Sequence, residues 1–176
     1  MDKSAMTEAM KSSISEVLEQ MFFIPVDFTA PDAPLSDTES GNGSIIAKLG
    51  FGGSPCGTFM LQVPESLAQS ASADFLGLTP QDLSDDHVTG TVLEMINMLA
   101  GGALSAYDRR ALFDLQLPEL IRPHDSDAWT REHAEEIVIR IQTPENRMTF
   151  KLIPHAGDTA WQAAGDSTWK PPAMKC

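Results

Sequence analysis

The order in which apolar periodicity changes along the chain limits its fold more than any other feature. Met6, Met10, Ile14, Val17, Leu18, Met21 and Phe22 recur at three- and four-residue spacing, which predicts an amphipathic helix over 4–23. A Pro-, Asp-, Ser- and Gly-rich loop over 32–43 separates it from two alternating segments, 44–51 and 56–63, joined through Gly52-Gly53-Ser54-Pro55 as a hairpin. Pro64-Glu65-Ser66 suits a first helical turn, and Leu67, Ala71, Phe75 and Leu78 continue it. Ser84 is placed to cap a long helix over 85–106, with Asp85 and Asp86 at its positive end. Three alternating segments follow, around Phe113-Leu115-Leu117, Ile137-Ile139-Ile141 and Met148-Phe150-Leu152, the last two joined as a hairpin through Pro144-Glu145-Asn146. A doubly wound parallel sheet would alternate strand with helix, and this order does not. The expectation is α+β: a largely antiparallel sheet of about five strands with long helices packed on it.

The length of 176 residues fits one domain, placed at 1–154, with 155–176 expected as a flexible tail in which Trp161 and Trp169 are unusual occupants. No internal repeat is visible. With 25 acidic against 12 basic side chains and a net charge of -13, no basic surface is available to neutralise phosphates, so nucleic acid is excluded as a partner. Apolar runs fall far short of the roughly 20 residues that span a bilayer. The N-terminus has no signal-peptide pattern, so a cytoplasmic protein without membrane attachment is expected. Cys56 and Cys176 are expected as free thiols, and His87, His124, His133 and His155 lack metal-ligand spacing, so no metal site is expected. Ser54 lies in a turn and not in a strand–Ser–helix elbow, which leaves covalent catalysis unsupported.

On the 85–106 helix, Val88, Val92, Met95, Ile96, Leu99, Ala103 and Ala106 form the core sector. The opposite strip holds His87, Gly90, Glu94, Asn97, Gly101 and Ser105. Glu94 and Asn97 stand three apart, so one carboxylate and one carboxamide can act on one small target. Any amphipathic helix has a polar side, but Gly and Asn are poor helix formers, and Gly90, Asn97, Gly101 and Gly102 all lie on this stretch. That composition suits a surface that another molecule approaches closely. It does not name the molecule.

Glu94-Met95-Ile96-Asn97-Met98-Leu99-Ala100-Gly101, preceded by Asp85-Asp86-His87-Val88 and followed by Leu117-Pro118-Glu119-Leu120-Ile121, resembles the signature of CheX- and CheC-type chemotaxis phosphatases. The resemblance extends to Cys56-Gly57-Thr58-Phe59-Met60-Leu61 and to Val63-Pro64-Glu65-Ser66-Leu67-Ala68. It implies a CheC-like fold and hydrolysis of the aspartyl phosphate of a CheY-like response regulator. In that implied role Glu94 anchors the regulator's lysine and Asn97 orients the attacking water. His87, Gly90, Met98, Gly101 and Ser105 would contact the partner, although many relatives carry Asp or Ser where Gly90 stands. The protein would need no cofactor of its own, Mg²⁺ residing on the regulator. A single Glu-x-x-Asn on a suitable helix resembles CheX, whose members are homodimers. The alternative is a dimeric adaptor of the same fold that grips a response regulator or flagellar switch component without turnover.

Overall fold

The computed structural model describes residues 1–28, 43–53, 55–121, 135–144 and 146–155. The elements are α1 (Lys3–Met21), β1 (Asp27–Phe28), β2 (Ser44–Gly52), β3 (Gly57–Pro64), α2 (Glu65–Leu76), α3 (Asp85–Tyr107), β4 (Asp114–Leu115), β5 (Glu119–Leu120), β6 (Ile137–Gln142) and β7 (Arg147–Pro154). The fold is α+β as expected. The sheet has seven strands in place of about five, because β1 is added and the 113–117 segment gives way to two short strands, β4 and β5.

All pairings are antiparallel, in the order β1-β6-β7-β3-β2-β4, with β5 also on β2. Alternation sends Ala47, Leu49 and Phe51 of β2, Phe59, Leu61 and Val63 of β3, and Met148, Phe150 and Leu152 of β7 into one core with the three helices. Phe59 and Phe150 stack there at 5.2 Å between ring centres. Met95, Ile96 and Leu99 of α3 are fully buried in the same core, where truncation of such a side chain to Ala costs about 2–5 kcal/mol. Site variants can therefore be judged against a helix that is firmly held.

The path of the chain contains a repeat that side-chain identity hides. α1 leads into a short strand and the β2–β3 hairpin; α3 leads into short strands and the β6–β7 hairpin. β3 and β7 pair at the centre, and the outer strand of each hairpin receives the short strands of the other half. Buried positions of the two long helices correspond pair by pair: Met6 with Val92, Ala9 with Met95, Met10 with Ile96, Val17 with Ala103 and Leu18 with Leu104. The helices meet at the pair Ser13 and Leu99, which share this separation of 86 residues, and the Ser13 hydroxyl donates to the Leu99 carbonyl at 2.9 Å. An approximate twofold thus relates the halves, with the helices crossing on it.

Three expectations are corrected here. Phe113, Leu115 and Leu117 do not share one face: Phe113 packs against the core, whereas Leu115 and Leu117 are 41% and 87% exposed, because β4 and β5 only bridge to the sheet edge. Ala106 is exposed, because Leu104 and Tyr107 are the residues of the last turn of α3 that pack on the core while Ala106 faces the open groove. Cys56 is disulfide-bonded and not a free thiol. The 32–42 part of the expected loop, Ser54, His124, His133, Glu145, both tail tryptophans and Cys176 lie outside the described residues. His155, the first residue assigned to the tail, still donates its N–H to the Cys56 carbonyl at 3.0 Å.

Candidate functional site

The site helix begins with a reciprocal cap. The Ser84 hydroxyl accepts from the His87 N–H, and His87 Nδ1 accepts from the Ser84 N–H, both at 3.3 Å. Asp85 and Asp86 occupy the first turn, where the helix dipole favours negative charge. His87 is thereby turned back onto the helix start, and its remaining ring nitrogen is all it can present to a partner.

Two turns on, Glu94 is exposed and Asn97 half-buried on the face turned away from Met95, Ile96 and Leu99. Among the described residues, neither side chain is held by a hydrogen bond or ion pair. Both keep their bonding capacity for another molecule: Glu94 as an acceptor of charge-assisted bonds, Asn97 as a paired donor and acceptor. A Cβ at Gly90 or Gly101 would meet nothing within 4 Å, so the flanks of the pair are open. Met98 is half-buried beside the strip, and Ser105 is exposed at its far end. The structure thus brings Glu94, Asn97, Gly90, Gly101 and Ser105 onto one accessible face, with Met98 at its margin.

Gly102 belongs elsewhere. A Cβ there would run into the Ser13 hydroxyl of α1, so this glycine allows two helices to cross closely and is not part of the approach strip. Gly101→Leu is accordingly expected to leave thermal stability unchanged or slightly raised, as leucine is the better helix former. Gly102→Leu should lower stability by about 1–3 kcal/mol through overpacking against Ser13. Urea unfolding of the two variants checks this, and equal stabilities would return Gly102 to the open strip.

On α1, the positions related to Glu94 and Asn97 hold Glu8 and Lys11, which pair with each other at 3.1 Å. That place on α1 offers no carboxamide, so the Glu-x-x-Asn face is present once on the two long helices. No group of three or more His, Cys, Asp or Glu able to hold a metal comes together among the described residues. What remains at Glu94 and Asn97 is a face that can bind a cation and position a small polar molecule, with no nucleophile of its own. Periodicity alone did not reveal the contribution of α1: an open groove of about 360 Å³ runs beside the strip between α1 and α3, lined in part by Val17, Met21, Met98 and Gly102. The small pair Ser13 and Gly102 is its trace in the sequence.

The sequence model of the family described as "Chemotaxis phosphatase CheX" matches residues 45–142, which include the site helix and most of the sheet. The fold is similar to the chemotaxis protein CheX from Vibrio vulnificus, at 18% identity and a TM-score of 0.64, over 88% of this chain and 99% of that one. It is similar also to a CheC-like superfamily protein from a Shewanella species, at 19% identity and a TM-score of 0.65, over 86% and 98%. The third such structure is a complex of CheX with CheY, BeF3 and Mg²⁺ from Borrelia burgdorferi, at 17% identity and a TM-score of 0.65, over 85% and 97%. No curated protein matches the chain. With the family match covering more than half of its length and carrying Glu94 and Asn97 within it, this chain belongs to the CheX chemotaxis phosphatase family.

Proposed function

We propose that the protein hydrolyses the aspartyl phosphate of a CheY-like response regulator, with Asn97 orienting the attacking water and Glu94 anchoring the regulator's active-site lysine. The observation that carries this reading is the unengaged Glu94–Asn97 pair on an open helix face within the family match. In the reaction a water oxygen forms a bond to phosphorus while the bond from phosphorus to the aspartyl oxygen breaks, releasing inorganic phosphate and the aspartate carboxylate. A carboxylate, the conjugate base of an acid with a pKa of about 4, leaves without a general acid, so a site lacking one is adequate. Phosphoryl transfer asks the protein mainly for positioning and charge stabilisation. Mg²⁺ on the regulator would provide the charge stabilisation, and this chain the positioning. No cofactor of its own is required.

The test is phosphate release from phosphorylated receiver domains of the same organism, with and without the protein. Acceleration of at least one receiver is expected; no acceleration of any of them would leave only the adaptor reading. Retention of a carboxamide at Asn97 favours turnover, since a pure binder has no use for a water-orienting group. Among the described residues no helix is long and apolar enough to cross a membrane. The proposed place of action is the cytoplasm, with the regulator.

The proposed assembly is a homodimer. Leu112 and Leu117, 93% and 87% exposed, stand with Leu115 and Leu120 along the sheet edge that β4 and β5 cover only in part. Short, partly paired edges bearing leucine invite association. Leu112→Glu with Leu117→Glu should shift the protein from dimer to monomer in light scattering, and an unchanged mass would move the interface to another surface.

A further inference from the structure

We propose that the groove between α1 and α3 is a specificity pocket that receives an apolar side chain of the partner regulator, from the surface beside its phosphorylation site. This inference rests on the reading of Glu94 and Asn97 given above and adds α1 to the recognition surface. Met98 and Ser105, which line the groove, lie one and eight residues beyond Asn97 on the same helix, about 1.5 and 12 Å along the axis. Even a small protein interface covers about 600 Å² on each partner, a patch of roughly 14 Å radius. A partner whose phosphoryl group sits at Asn97 therefore also covers the groove, and an unfilled groove would leave a void in the contact.

The walls show what fits. Met21, Met98 and Ala106 give the groove an apolar side, where methionine adapts its shape to differing occupants, and Gln20 and Ser105 add polar groups beside it. The floor exists because Gly102 has no side chain and Ser13 is small and committed to the Leu99 carbonyl. Glu16 and Arg109 stand on the rim, and neither is in an ion pair among the described residues. In a chain of net charge -13, such an Arg109 beside the apolar side of the groove favours an occupant with an acidic neighbour. The Glu94–Asn97 pair meets features that all phosphorylated receivers share, a lysine and a phosphoryl group. The groove meets residues that differ between receivers, and discrimination needs such contacts.

The experiment measures binding, so that it does not depend on turnover. Receivers of the same organism, in the beryllofluoride-activated form, are titrated against wild-type protein, Ala106→Trp, Met21→Ser and a control, Leu76→Trp, placed on α2. Filling the groove at the exposed Ala106 or removing its apolar lining at the exposed Met21 should each weaken binding at least tenfold, with the control unchanged. Circular dichroism establishes that each variant is folded. Wild-type affinity in both groove variants, or no binding of any receiver by the wild-type protein, would overturn the assignment of the groove. Binding that depends on the groove without accelerated phosphate release would uphold the groove and overturn the phosphatase reading.

Discussion

Asn97→Ala is expected to abolish nearly all accelerated dephosphorylation while the protein remains folded and still binds its regulator. The carboxamide is not used to hold the structure: it has no hydrogen-bond partner among the described residues. Alanine is the better helix former, so the variant should be as stable as wild type or more stable by a few tenths of a kcal/mol. The loss falls on the reaction. Water must lie in line with the phosphorus–oxygen bond that breaks, and misplacement of a reacting group by about 1 Å is enough to cost about 100-fold. No second carboxamide stands on this face of α3, and Glu8 and Lys11 are paired at the related place on α1, so neither of these places supplies an equivalent group. A rate at saturating regulator within a few-fold of wild type would remove Asn97 from the mechanism, whatever the affinity.

The elements that bury a regular face were legible in the sequence. The helix expected over 85–106 spans Asp85–Tyr107, and the segments expected over 44–51 and 56–63 are the strands Ser44–Gly52 and Gly57–Pro64. In each, one face packs on the core, so burial imposes a period that composition reveals. Leu115 and Leu117 alternate just as well, yet they lie on a short edge bridge and face solvent. Alternation records spacing and does not record what lies opposite. The same limit hid the role of Gly102, which depends on Ser13 from the other long helix. It also hid the disulfide of Cys56, since a cysteine in a strand carries no sign of what the fold brings beside it. The approximate twofold escaped notice because the related positions conserve burial and not identity, as Met10 with Ile96 and Leu18 with Leu104 illustrate. The Glu94–Asn97 strip was legible because Gly90, Glu94, Asn97 and Gly101 gather on one side of a strongly apolar helix.

Glu94→Ala is expected to act on affinity, and kinetics should separate it from Asn97→Ala. A carboxylate cannot stabilise a phosphoryl group whose oxygens already carry negative charge, and at close range it repels them. Its favourable counterpart on a regulator is a cation, and the Glu94 carboxylate is exposed and free of any cation among the described residues of its own chain. Truncating one member of a charge pair that becomes desolvated on binding commonly costs about 2–5 kcal/mol. The half-saturating concentration of phosphorylated regulator should therefore rise about 30-fold at the lower end of that range. Saturating regulator should restore part of the rate, whereas it should not rescue Asn97→Ala. Restoration is expected to be partial because pairing with Glu94 also draws the lysine partly away from the phosphoryl oxygen, a contribution that no concentration of regulator replaces. Salt provides the second axis. The attraction is screened over about 8–10 Å at physiological ionic strength, so raising salt should weaken wild-type binding more than binding by Glu94→Ala. Titration of both variants at two salt concentrations reads affinity, maximal rate and screening together, and an unchanged half-saturation for Glu94→Ala would end the assigned role of this carboxylate.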